Sequence, residues 1–479
     1  MGENQVSLVR GLGLIAAISI IIGNVIGTGV FLKARVMTCN VGSPDWVLIA
    51  WIVAGILSLA GALTYAELSA IKPFAGGEYI FLRDAYGKIW SFLYGWMQMF
   101  IAKTGSQAAV AMTFAIGLND FLGGTFKQTL FETNVASYSY ELSSLQIIAV
   151  GVIVVFTILN CASVSFSGWI ATFLMIVKIL LIAFVSIGAF LLVTNGSFSH
   201  FAMVQENATC EGVNDVVRYG SESYSFISGF GAAVIGALWG YDGWNNLTLV
   251  AGEVKKPERN IPLALIGGTI AIILLYILAH VAYFYVLTPN EVASVSATSS
   301  VAKETISRFF QDNNFAVGTA VSIFTIGLML SSVGTLHTSI LTGARIPFAM
   351  ARDGLMLDSF GKLSQTTKVP VVAIIFQGVW ASLLALSGSF DTLTDYVIFG
   401  SWIFYALVTS SVFVFRRKFP NAERPYRTFG YPIVPALFLV GASFLLINAL
   451  WSSPTQAFAG IFLILAGLPI YYLLEKSKK

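Results

Sequence analysis

The chain is 479 residues long, 56% hydrophobic and only 11% charged, with a net charge of +3. A soluble domain carries about 25% charged residues, so water cannot be the solvent over most of this surface and a bilayer must replace it. The small net charge offers no grip on nucleic acid, and three cysteines exclude a disulfide-dense scaffold.

In chain order, the apolar runs predict about twelve membrane-spanning helices, at 11–37, 45–71, 89–118, 144–163, 167–193, 225–250, 262–287, 315–348, 369–388, 392–415, 431–451 and 456–474. A span needs about 20 mostly apolar residues, and the runs lack the strict alternation of barrel strands. Residues 1–10 are polar, and no small-residue cleavage site follows the first run, so that run is expected to stay in the membrane. With the N-terminus inside, the inner segments collect Arg10, Lys72, Arg83, Lys88, Lys255, Lys256, Arg259, Arg345, Arg352, Lys362, Lys368, Arg416, Arg417, Lys418, Arg424, Arg427, Lys476, Lys478 and Lys479. The outer segments keep Lys33, Arg35, Lys127, Arg218, Lys303 and Arg308. This bias places both termini in the cytoplasm. Cys39 and Cys210 then both face outward, where free thiols are favoured over a bridge between them, which stays open. His200, His280 and His337 are scattered and no C-x-x-C spacing occurs, so no metal or other cofactor is expected. No G-x-x-x-x-G-K-[ST] loop is present for ATP.

Two spans carry glycines at mid-membrane: Gly23-Asn-Val-Ile-Gly27-Thr28-Gly29 in the first and Gly236-Ala-Leu-Trp239-Gly240-Tyr-Asp-Gly243-Trp-Asn245 in the sixth. Close helix packing explains either one alone. Their corresponding positions instead suggest an inverted repeat of spans 1–5 and 6–10 whose first helices are both broken. An unwound Gly27-Thr28-Gly29 frees N–H groups at the start of a half-helix, which suits a carboxylate. Freed carbonyls near Trp239 and Gly240 suit an ammonium group. The two together match the backbone of an α-amino acid and leave its side chain unspecified.

Ile-Ile-Gly23-Asn-Val-Ile-Gly27-Thr28-Gly29-Val-Phe31 resembles the first-helix signature of the amino acid–polyamine–organocation transporters. So do Tyr65-Ala-Glu67, Gly76-Gly77-Glu78-Tyr79, Tyr86-Gly87, Trp239-Gly-Tyr-Asp-Gly-Trp244-Asn245, Gly252-Glu253, Pro257-Glu-Arg259-Asn-Ile-Pro262 and the stretch 345–354, in order along the chain. Within that superfamily the nearest likeness is to the L-type amino acid transporters and their bacterial relatives. The resemblance implies an all-α LeuT-type fold with a 5+5 inverted repeat and alternating access. The chain would divide into an inner terminus (1–10), a first repeat (11–193), an outer loop (194–224), a second repeat (225–415) and two further helices with the C-terminus (416–479). It implies Val25, Ile26, Gly27, Thr28 and Gly29 around the substrate backbone, Trp239 as an aromatic gate, and Gly240, Tyr241 and Asn245 lining the same pocket. It also implies that the ammonium of Lys178, in the middle of the fifth span, stands where sodium-coupled cousins bind sodium, held by first-span carbonyls and by hydroxyls such as Ser331 or Ser332; as a desolvated lysine it is also a candidate for proton coupling. In the eukaryotic L-type branch a cysteine after the third span links a heavy chain. Residues 119–141 contain none, so no such partner is expected.

Other membrane charges have plainer readings. Lys103 departs from the L-type pattern, as does the residue after it, and is given no substrate role. His337 is expected as a satisfied core histidine. Glu67, Glu78 and Glu253 are expected to pair with inner-loop Arg or Lys, and Asp242 to pair within the fold. The favoured function is sodium-independent exchange or proton-coupled uptake of neutral L-amino acids across the cell membrane. A cationic amino acid or polyamine carrier, with Asp242 as its best argument, or a non-transporting amino acid sensor are the alternatives. No acid–base pair, metal cluster or nucleophile supports an enzyme.

Overall fold

The computed structural model describes residues 8–126, 128–135, 138–296, 299–310, 313–387, 390–452 and 454–476. Lys127, Lys478 and Lys479, counted above in the charge bias, lie outside these residues. The first span is two helices, α1 (Leu14–Val25) and α2 (Gly29–Val41), bent by 40° across residues 26–28. Ile26 leaves the helix with φ −73° and ψ 90°. Gly42, left-handed at φ 79°, closes α2. α3 (Pro44–Ile71) starts on a proline, whose missing N–H is no loss in a first turn.

A short helix α4 (Glu78–Tyr86) leads to the third span: α5 (Lys88–Met97), a wide π-helical turn at Gln98–Ala102, and α6 (Lys103–Phe121). After it come an antiparallel hairpin, β1 (Thr129–Val135) with β2 (Tyr138–Ser143), then α7 (Ser144–Asn160) and α8 (Val164–Leu192). The sixth span is α9 (Phe226–Tyr241) followed by a 3-10 stretch, Asn246–Glu253. Beyond it lie α10 (Pro257–Val286), short helices α11 (Pro289–Ala293) and α12 (Val301–Ser307), α13 (Asn314–Gly343), α14 (Arg345–Arg352), α15 (Val371–Ser387), α16 (Phe390–Lys418), α17 (Ile433–Ser452), α18 (Pro454–Leu465) and α19 (Gly467–Lys476).

Among the described residues, eight helices are long and apolar enough to cross a bilayer, and nine if the bent α1–α2 pair is one span. α7 and α15 are apolar but shorter, at 17 residues each. Large apolar side chains such as Trp169, Leu180, Leu191 and Leu274 point outward, while Ile182, Val185 and Ala189 on the opposite side of α8 are buried. That exposure suits lipid and not water. The chain is an all-α, multi-pass membrane protein. α1 sits at its centre, packed on α8, α10 and α13, while α2 packs on α9.

The sixth span is broken, as its glycines suggest: α9 stops at Tyr241, where Asp242 turns extended (φ −58°, ψ 140°) and Gly243 takes φ 103°. Two expectations change. The hairpin after the third span has no counterpart among the expected elements. Cys39 and Cys210 form a disulfide with their Cα atoms 5.7 Å apart, rather than remaining free. The outer loop folds back over α2: the Tyr219 N–H donates to Cys39 O (2.8 Å), the Gln205 N–H to Gly42 O (2.8 Å) and Asn40 Nδ2 to Val217 O (3.1 Å). A separation of 171 residues hides that approach from a linear reading.

Candidate functional site at the paired helix breaks

The first break orients two sets of backbone groups. The Thr28, Gly29 and Val30 N–H groups open α2 without a hydrogen-bond acceptor among the described residues, whereas the Gly27 N–H is spent on Val25 O (2.8 Å). On the other side, the last carbonyls of α1 point at Lys178. Its buried ammonium donates to Gly23 O (2.6 Å), Ile26 O (2.5 Å) and Thr335 Oγ1 (2.8 Å). Those contacts satisfy all three N–H bonds of a lysine and occupy the volume a bound cation needs. Ser331 reaches the same carbonyl, its hydroxyl donating to Ile26 O at 3.3 Å. Ser332 does not join the cluster: its hydroxyl turns back to Leu328 O (3.0 Å), and Thr335, one turn further along the inward face of α13, takes the expected place. Gly334 leaves room for the lysine stem, since a Cβ there would lie 2.9 Å from Lys178 Cε.

The second break meets the first at its glycines. A Cβ on Gly29 would lie 2.8 Å from Gly240 Cα and 3.1 Å from the Trp239 ring. Lys33 of α2 covers the Trp239 ring at 4.6 Å from its centroid, a cation–π contact. The carbonyls expected to be free are engaged: the Tyr276 hydroxyl donates to Gly240 O (2.9 Å) and Val25 O (3.0 Å), and the Asp242 N–H to Trp239 O (3.2 Å). Tyr241 is buried against Trp51 and Tyr276. Asn245 turns away too, donating to Glu78 Oε2 (2.9 Å).

A cavity beside these breaks is lined by Asn24, Gln98, Ala102, Lys103, Ser106, Trp239, Asp242, Gly243, Asn246, Thr335, Ser339, Ser401, Trp402 and Tyr405, among others. Of the expected substrate residues only Trp239 is among them. Val25, Ile26, Gly27, Thr28 and Gly29 do not line it, although Thr335, which does, has its Oγ1 3.6 Å from where a Gly27 Cβ would be. Gly240, Tyr241 and Asn245 do not line it. Lys103, set aside on sequence, does: its ammonium donates to Asn246 Oδ1 at 2.5 Å. Asp242 pairs within the fold as expected, accepting from the Tyr405 hydroxyl (2.7 Å), and also opens to the cavity. The signal that could have found Lys103 is the one that found Lys178, a lysine at mid-span.

His337 is a satisfied core residue, its Nε2 at 2.9 Å from Ser167 O and its Nδ1 at 3.0 Å from Asn160 Nδ2. Glu253 and Arg345, both buried, make a bidentate pair at 2.7 and 2.8 Å. Glu67 accepts from Arg416 at 2.8 and 3.0 Å. Glu78 departs from expectation. It has no basic partner in contact among the described residues and accepts instead from the Tyr65 and Tyr94 hydroxyls (2.9 and 2.5 Å) and from Asn245. The dry junction of α3, α4 and α5 lets tyrosines reach where the inner-loop bases do not.

Residues 12–474 match the amino acid permease family. The chain is 30% identical over 476 residues to the serine/threonine exchanger SteT of Bacillus subtilis, covering 98% of both chains. It is 29% identical to the large neutral amino acids transporter small subunit 2 of Mus musculus, over 98% of this chain and 82% of that one. It is also 29% identical to the b(0,+)-type amino acid transporter 1 of Homo sapiens, over 98% and 89%. A match that spans both helix breaks and nearly every helix identifies the chain as a member of the amino acid permease family.

Proposed function

We propose that this permease exchanges neutral L-amino acids across the cell membrane by alternating access, without sodium. The observation that carries the sodium independence is Lys178: its ammonium already neutralises the α1 carbonyls that a bound sodium ion would coordinate. The transport of amino acids rests on the family match and on the substrates in the relatives' names. In this reading the unpaired N–H groups of residues 28–30 take the substrate carboxylate, and Val25, Ile26, Gly27, Thr28, Gly29, Trp239, Gly240, Tyr241 and Asn245 close around it as the breaks rearrange. Trp239 is the gate. A cationic carrier is disfavoured by Lys103 in the cavity wall.

The orientation with both termini in the cytoplasm agrees with the charge bias, and the Cys39–Cys210 disulfide belongs on the oxidising side of a membrane. A disulfide-linked heavy chain is not part of this reading. The sequence holds three cysteines, two are bonded to each other, and Cys161 sits at the end of α7 that this orientation puts inside.

The test is uptake of radiolabelled amino acids into proteoliposomes, with and without sodium, a proton gradient and internal unlabelled amino acid. The expected result is uptake that requires internal amino acid and is unchanged by sodium. Sodium-stimulated uptake would refute the role given to Lys178, and uptake driven by the proton gradient alone would replace exchange by symport.

A further inference from the structure

The cavity wall holds one cation and one anion that do not form an ion pair with each other. Lys103 is half-buried, and of its three N–H bonds one goes to Asn246 Oδ1, leaving two without an acceptor among the described residues. Asp242 is exposed to the cavity and receives one hydrogen bond, from the Tyr405 hydroxyl to Oδ1, so Oδ2 is open. The other carboxylate near Lys103, Glu78, is closed off by Tyr65, Tyr94 and Asn245. Lys103 owes its place to the irregular turn before it. Its N–H bonds Gln98 O, five residues back, which widens the helix and brings Gln98, Ala102, Lys103 and Ser106 to one wall. Such π-turns concentrate at functional positions.

A ligand group that fills the space between these two must answer both. An acidic side chain meets Asp242 and a basic one meets Lys103, so each gains one contact and is repelled by the other. An apolar side chain leaves both charges desolvated and unpaired, the costliest outcome. A carboxamide or a hydroxyl accepts from the ammonium and donates to the carboxylate at once.

We propose that Lys103 and Asp242 together select the substrate side chain, favouring neutral amino acids whose side chain both donates and accepts hydrogen bonds, as threonine and glutamine do, over apolar, acidic and basic ones. This rests on the exchange of neutral amino acids proposed above and names which of them are carried best.

Near-isosteric competitors test it in proteoliposomes loaded with unlabelled substrate. For the wild type, kcat/KM is expected to favour threonine over valine, and glutamine over methionine, by about tenfold or more. Lys103→Met should collapse those ratios and raise lysine relative to glutamate. Asp242→Asn should also lower the ratios but raise glutamate relative to lysine. If Lys103→Met does not elute as a monodisperse protein, Lys103→Gln, which keeps a donor and loses the charge, carries the same charge-swap arm. Ratios unmoved while uptake of every substrate falls equally would show that the two groups hold the substrate backbone or the fold, and would overturn the proposal. So would a wild type that prefers valine, glutamate or lysine. Wild-type vesicles that carry no neutral amino acid at all would instead bring down the exchange reading, and this selection with it.

Discussion

At Lys178 the ammonium holds three acceptors from two helices, and at Gly29 the two broken spans pack so closely that a Cβ would lie 2.8 Å from Gly240 Cα. Lys178→Ala leaves the buried Gly23 carbonyl without its ammonium donor and Ile26 O with only the longer contacts from the Ser331 and Thr335 hydroxyls. Since hydrogen bonds to charged groups contribute about 1.5–3 kcal/mol each, exchange should fall by more than about tenfold. The yield of monodisperse protein should fall less, and equal losses would make the lysine purely structural. The two glycines separate what a substrate feels from what the fold feels. A Cβ on Gly27 meets nothing closer than Thr335 Oγ1 at 3.6 Å, so Gly27→Ala should fold normally. If the carboxylate docks at the start of α2, substrate affinity should nonetheless drop by about tenfold, measured by binding of labelled substrate; unchanged affinity would move the carboxylate elsewhere. Gly29→Val is the less specific probe, because its side chain strikes Gly240 Cα whether or not substrate is present. Lys178 and the glycines were legible in sequence because each is costly in a membrane helix and so marks itself. Lys103 is equally costly, but whether it faces a partner or a cavity is set by a π-turn with no sequence signature. Tyr241 and Asn245 do not line this cavity because helix α9 ends at Tyr241 and the turn at Asp242–Gly243 redirects the chain beyond it.

At the scale of elements, motifs distant in sequence are physical neighbours around the start of α4. Gly77 takes φ 40°, and a Cβ there would lie 2.5 Å from the Thr248 backbone. Gly76 has a φ of 99°, and a Cβ there would lie 2.5 Å from Ala349 Cβ of α14. The turn before α4 is thus wedged between the second half of span 6 and the end of span 8. Gly77→Ala combines a disfavoured backbone conformation with a backbone clash. It should cost stable protein outright, checked by size-exclusion profile and by melting temperature in detergent. Glu253 and Arg345 clamp the same junction. Glu253→Gln leaves a buried arginine without its counter-charge, which typically costs about 3–5 kcal/mol, so the melting temperature should drop by several degrees while the Lys103–Asp242 cavity keeps its geometry; an unchanged melting temperature would show that the pair is not stability-determining. Long apolar runs revealed the helices because a bilayer permits no other regular structure for them. The β1–β2 hairpin escaped notice because it lies outside that constraint, in a loop where short alternation such as Tyr-Ser-Tyr-Glu-Leu carries weak information.

For the molecule as a whole, the amino acid permease match fixes the family, and exchange, orientation and sodium independence are the parts left to vesicle measurements. The outer surface offers a handle for such measurements. The loop that carries Cys210 is stapled to α2 by the disulfide, by the Arg35 guanidinium donating to Glu211 O (2.8 Å), and by the backbone bonds from Tyr219 and Gln205. A segment held to α2 at that many points should move with it, as a lever moves with its axle, in any swing of α2 that admits or releases an amino acid. A fluorophore or spin label placed on the exposed loop near Glu206 is therefore expected to report on the buried break at Gly29 without touching the cavity. Reduction of the disulfide should blur that signal, because it loosens the linkage between label and helix.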